Sequence, residues 1–150
     1  MLDLLDAIQG QLESEIDYAE IVAVMQHDTD RMPDFELRGI VVAPVSEREE
    51  RIAVRCWQKV CRVRIVCMIF RDNETNSLLG DGVGQEGVIK MVEDVIEALR
   101  MVNFSGLVQL TGDEFTEAET SYEKTWSPER EGFYHEAGIE GEYRLQPFTE

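Results

Sequence analysis

Three cysteines, two histidines, one glycine-rich stretch and several carboxylate clusters are the residues of this 150-residue chain whose types suit chemistry. Nucleophilic catalysis by Cys56, Cys61 or Cys67 needs a base and an orienting group beside the thiol. Each cysteine instead lies in or beside an apolar run, where a thiol behaves as a small hydrophobe, while His27 and His135 fall in polar, turn-like stretches. The cysteines form no CxxC pair and the histidines are far apart, so the ligand set of a zinc site is not spelled out. Gly82-Val83-Gly84-Gln85-Glu86-Gly87 reads GxGxxG and opens a helical pattern. A dinucleotide fingerprint, however, needs a strand immediately before it and an acid about 20 residues later. Here the nearest strand pattern ends near Phe70, and Val102–Gly106 holds no acid. Asp72-Asn73-Glu74 offers hard oxygen ligands without the spacing and turn glycine of an EF-hand. The expectation is a non-enzymatic protein with no cofactor and no metal, working as a structural or binding element.

Composition narrows the class of partner. Lys and Arg number 14 against 31 Asp and Glu, a formal net charge of −17 and a pI near 4.4, which argues against free nucleic acid or anionic lipid. A hydrophobic share of 43% supports one folded domain over residues 1–150. The longest apolar runs, Ile21–Met25 and Ile65–Phe70, fall far short of the ~20 residues of a membrane span, and MLDLLDAIQGQLESE has no secretory-signal pattern. An odd count of closely spaced cysteines reads as reduced thiols. Charge is unevenly placed: Arg48, Arg51, Arg55, Lys59, Arg62, Arg64 and Arg71 crowd one stretch, while Asp113–Glu142 is strongly acidic. Two arrangements fit this asymmetry: an intramolecular match or solvated faces, and head-to-tail contact between copies.

The elements that would carry these residues follow from periodicity. Leu2, Leu5, Ile8, Leu12 and Ile16 form a helical stripe. Ile21–Met25 reads as a strand and His27–Pro33 as a turn. Leu37–Val45 reads as a second strand ended by Pro44, and Ser46–Arg51 as a charged, mobile connection. Ile52–Phe70 carries the strongest β signal, with Cys61, Val63, Ile65, Cys67 and Ile69 on one face and Arg62, Arg64, Val66, Met68 and Phe70 on the other. A polar, glycine-rich loop over Arg71–Gly87 precedes a helix from Gln85 to Asn103 whose stripe is Val88, Ile89, Val92, Val95, Ile96, Leu99 and Val102. Leu107–Thr111, Ser121–Ser127 and Ile139–Gln146 read as further strands, with Thr116–Gly138 as a mobile insertion before the last. The predicted class is α+β: a mostly antiparallel sheet with two helices packed on one face.

This order of pieces resembles the tail-terminator (tail-completion) family of long-tailed bacteriophages over most of the chain. The helix MLDLLDAIQGQLES precedes a strand and the proline-punctuated MPDFELRGIVVAPV. VCRVRIVCMIF then enters a loop and the helix VIKMVEDVIEALRM, followed by LVQLTG and the closing strand GIEGEYRLQPF. The long insertion Thr116–Gly138 and the strongly negative charge depart from the family pattern.

The resemblance implies a homo-oligomer, a hexameric ring that caps the phage tail tube and joins it to the head-side connector protein. DNA would pass through the lumen without specific binding, and a negative lumen suits that passage because like charges prevent sticking. The implied location is the virion tail or neck, reached from the host cytoplasm during assembly, with no membrane partner. The family has no catalytic residues to carry over. Its contacts come from loops and sheet edges, so Arg55, Arg62, Arg64, Arg71, Asp72, Glu74 and Asp81 are the expected subunit-interface residues. Neighbouring expectations are a neck connector or adaptor ring, and an acidic soluble module acting as inhibitor or nucleic-acid mimic. A small cysteine or carboxylate enzyme is the remaining reading.

Overall fold

The computed structural model describes residues 1–25, 37–71, 87–115 and 119–149. The turn expected at 27–33, the loop at 72–86 with most of its glycine motif, and residues 116–118 of the insertion lie outside the described residues.

Helix α1 (Leu2–Glu15) buries Leu4, Leu5, Ile8 and Leu12. The stripe is therefore shifted from the expected one: Leu2 is exposed and Leu4 takes its place, since positions 4, 8 and 12 stack at i, i+4, i+8 with 5 beside them. Helix α2 (Val88–Leu99) buries Val88, Met91, Val92, Val95 and Leu99 and starts at Gly87 without a side-chain cap. α1 and the turn after it are tied to α2 by polar contacts as well as apolar ones. Tyr18 Oη donates to Asp94 Oδ2 at 2.6 Å, and the Gln11 side-chain amide donates to the Ala98 carbonyl at 3.0 Å.

The strands are β1 (Ile21–Val24), β2 (Arg38–Ala53), β3 (Cys56–Arg71), β4 (Val108–Gln109), β5 (Ser121–Ser127), β6 (Gly132–Leu145) and β7 (Phe148–Thr149). They form one sheet in the order β1-β2-β3-β6-β4, with β5 also beside β6 and β7 beside β3. β1 runs parallel to β2 (Ile21 opposite Gly39), whereas β2–β3, β3–β6, β5–β6, β4–β6 and β3–β7 are antiparallel.

The expected class, a mostly antiparallel sheet with two helices on one face, is corrected by this architecture. The protein is mostly β, with half of its described residues in strand, and the sheet is mixed and curled into a half-barrel. Two physical reasons account for the difference. IVAV, an apolar run, does not encode strand direction, because a buried strand reads alike in parallel and antiparallel pairs. Three strands of 14 to 16 residues also accumulate right-handed twist, and the pairing of β2 with β3 shifts register at Pro44/Ser46 and again at Arg51/Ala53, bending the hairpin further.

Element boundaries moved for related reasons. Pro44 does not end β2, because the register shift lets the ladder resume beyond it. The segment expected as a mobile connection, Ser46–Arg51, is strand paired with Arg62, Cys61, Val60, Lys59, Gln58 and Trp57. The continuous strand expected over Ile52–Phe70 is broken by a two-residue turn at Val54–Arg55, where Arg55 has φ of 57°. In the expected insertion, the described part is the β5–β6 hairpin, and β6 begins at Gly132 rather than Ile139.

The core sits where α1 and α2 meet the inward side chains of β2, β3 and β6. Ile40, Val42, Cys61, Val63, Ile65, Cys67, Ile69, Ala137, Ile139 and Tyr143 join the helix stripes in one cluster, each large aliphatic side chain contributing about 1.5–3 kcal/mol by burial. On the opposite face Val41 and Met68 are covered by Ile21, Met25, Val66, Phe70 and Tyr134. The central strand is thus cationic and exposed at Arg62, then buried on both faces by Met68, as its alternation predicts.

Candidate interface: the long hairpin and the charged face

Strand β3 holds three of the expected interface residues, Arg62, Arg64 and Arg71, and its length decides whether they act together with Arg55. Arg55 is in the turn just before β3 and Arg71 is its last residue, so the strand's 16 residues separate them by about 50 Å. Arg62 and Arg64 lie between them on one face. The expected set is therefore not a single patch. Asp72, Glu74 and Asp81 lie outside the described residues.

Arg62 and Arg64 face β6, whose register sets Glu142 opposite Arg62 and Glu140 opposite Arg64. Both guanidiniums stand 3.8 Å from the Glu140 carboxylate. Arg64 reaches further, donating from Nη2 to Ser121 Oγ at 3.3 Å across β6, and Gly138 makes room for it. A methyl group at Gly138 would lie 2.7 Å from Arg64 Nη2. Glu136, two residues before Gly138, is half-buried. Its carboxyl is pushed above the usual range by burial first and by Glu123 second, against the pull of Arg64.

The charged face continues toward the hairpin end. Arg144 of β6 binds Glu50 of β2 at 2.7 Å, and Arg48 binds Glu50 at 3.0 Å and Glu142 at 3.6 Å. These hydrogen bonds, Arg144 first, hold the Glu50 carboxyl below its ordinary value. Lys59 binds Glu47 at 3.3 Å. Beneath this row the buried Gln58 donates to Gln109 Oε1 and to the Leu145 carbonyl, so β3 is tied to β4 and β6 by a satisfied amide. Every ion pair in the row is partly exposed and screened by water, so its main effect is to fix cross-strand register.

Of the two arrangements open for the uneven charge, the intramolecular match accounts for Arg48, Lys59, Arg62 and Arg64. Arg51 and Arg55 are left over: Arg51 donates only to the Ala53 carbonyl, and Arg55 has no carboxylate partner among the described residues. Both sit at the end of the β2–β3 hairpin beside two apolar residues that sequence reasoning passed over. Ile52 is 49% and Val54 is 78% exposed. The signal for them is an apolar run, Ile52-Ala53-Val54, bracketed by Arg51 and Arg55, which the reading of one continuous strand absorbs.

The groups with catalytic potential are dispersed. Cys61 and Cys67 are buried in the core, and burial pushes both thiols upward, opposite to what a nucleophile needs. Cys56 is half-buried beside the hairpin turn. His135 is buried in β6 with its ring edge-on to Phe133, and His27 lies outside the described residues. Among the described residues no group of three His, Cys, Asp or Glu is placed to hold a metal ion, and no helix is long and apolar enough to cross a membrane. The chain matches no protein-family model and no curated protein.

Proposed function

We propose that this protein is a structural subunit of a phage virion, joining copies of itself into a ring that caps the tail tube and meets the head-side connector. The observation that carries the reading is the β2–β3 hairpin, which continues past β6 and ends in the exposed pair Ile52 and Val54. A long arm with an apolar end is costly to leave in water and is suited to burial against another chain. The sheet also leaves edge strands at β1 and β5, and edge strands are ready-made sites of inter-chain pairing. The likeness in element order to tail-terminator proteins supplies the particular role. The pairing of Glu140 and Glu142 with arginines weakens the rival reading of a free acidic mimic, because these carboxylates are already engaged within the chain.

Purified chain added to phage tail tubes tests the proposal in negative-stain images. The expected result is a ring of about six copies at one tube end. Bare tube ends, together with a chain that stays monomeric at high concentration, would overturn it.

A further inference from the structure

Toward its tip the hairpin carries Arg48, Arg51, Arg55, Lys59, Arg62 and Arg64, and among the described residues internal pairing with Glu47, Glu50, Glu140 and Glu142 leaves Arg51 and Arg55 without a carboxylate partner. The tip is therefore a small cationic knob bearing Ile52 and Val54 on a molecule of net charge −17. Its complement is found at the other end of the fold. The first 30 residues contain no Lys or Arg. Where α1 meets β1, an open groove of about 230 Å³ is lined by Ile16, Ala19 and Ile21 together with Glu13 and Asp17. Those two carboxylates are exposed and have no ion-pair partner among the described residues. The open groove has apolar walls at Ile16, Ala19 and Ile21 against which a branched aliphatic side chain can lie.

Tip and groove of one copy are kept apart. β1 pairs with β2 only as far as Val42, and β2 then runs on to Ala53, a distance of about 35 Å along the strand. We infer that the tip of one copy seats Ile52 and Val54 in the α1–β1 groove of the next, with Arg51 and Arg55 set against Glu13 and Asp17. The inference rests on the ring reading and supplies its contact. It also selects polarity: tip against tip and groove against groove are like-charged, so head-to-tail association is favoured over a two-fold dimer. A head-to-tail contact closes into a ring when its rotation allows.

The test uses two charge-reversed full chains, Arg51→Glu/Arg55→Glu and Glu13→Arg/Asp17→Arg, followed by light scattering across concentration and by imaging on tail tubes. Each variant alone is expected to need at least about tenfold more protein to assemble. An equal mixture is expected to assemble like the original chain, because each reversed tip then finds a reversed groove. Recovery in the mixture also establishes that both variants fold. If the original chain forms rings and both variants do so equally well, the tip–groove contact is wrong and the ring reading stands. If both variants keep the circular dichroism and unfolding transition of the original chain yet fail alone and in the mixture, the contact is likewise wrong. If the tip variant still forms rings but no longer binds tubes, the tip's occupant is the tube protein and the inference is overturned. If the original chain never self-associates, alone or on tubes, the ring reading falls and takes this contact with it.

Discussion

At Gly141 one added methyl group meets an aromatic ring. A Cβ there would lie 2.5 Å from Cε1 of Phe115, and Phe115 stands edge-on to Tyr143, which in turn stands edge-on to Phe104. The half-buried ring must shift and give up its edge-on contact with the buried Tyr143, so Gly141→Ala is expected to lose about 1 kcal/mol in urea unfolding, despite the general gain from replacing a strand glycine. Glu136 gives a pH-dependent prediction of definite sign. Its carboxyl is raised in the folded chain, so the charged form is penalised by folding: the penalty is present at neutral pH and vanishes as pH falls below the ordinary glutamate range. Glu136→Gln should therefore stabilise by roughly a few tenths of a kcal/mol at pH 7 and by nothing near pH 3.5, the magnitude being small because the group is only half-buried. Glu50 works in the opposite direction, since its lowered carboxyl contributes stability at neutral pH that is lost on acidification. Equal effects of Glu136→Gln at both pH values would remove burial as the cause.

The hairpin is the element on which the functional reading turns, and its weak point is the turn. Arg55 adopts a left-handed backbone that costs a non-glycine residue about 1–2 kcal/mol. Arg55→Gly is expected to raise the unfolding temperature while removing one tip cation, so stability and self-association should move in opposite directions. A fall in both would mean that Arg55 makes a stabilising contact that its backbone strain conceals. This turn also explains what the sequence could not disclose. Val54-Arg55 contains no glycine, asparagine or aspartate, so nothing in the residue types marks a reversal between two β-rich runs. Ser46–Arg51 hid its strand for a different reason: its alternation is between charges of opposite sign rather than between apolar and polar residues, and only the partners Lys59, Glu142 and Arg144 reveal it. The two helices and the inward face of β3 were legible because each buries one contiguous stripe. Arg62 and Arg64 lie, as expected, on the face opposite Cys61 and Cys67, but their engagement with Glu140 depends on a strand about 75 residues away in sequence.

For the whole molecule, the surplus of 17 negative charges is a uniform pressure against compactness. The ion pairs on the sheet are exposed and individually small, so salt should relieve more repulsion than it removes attraction. Raising salt from about 0.02 M to about 0.3 M is expected to increase the unfolding temperature, and an unchanged or lower value would show that the paired face dominates. The same sheet sets a schedule for folding. β2 and β3 can zip together as soon as their two-residue turn is made, but β6, which covers the other edge of β3, lies roughly sixty to eighty positions downstream. During synthesis on the ribosome the Val63–Ile69 edge of β3 therefore has no partner until β6 has emerged. Abundant acidic residues that repel neighbouring nascent chains would guard that interval.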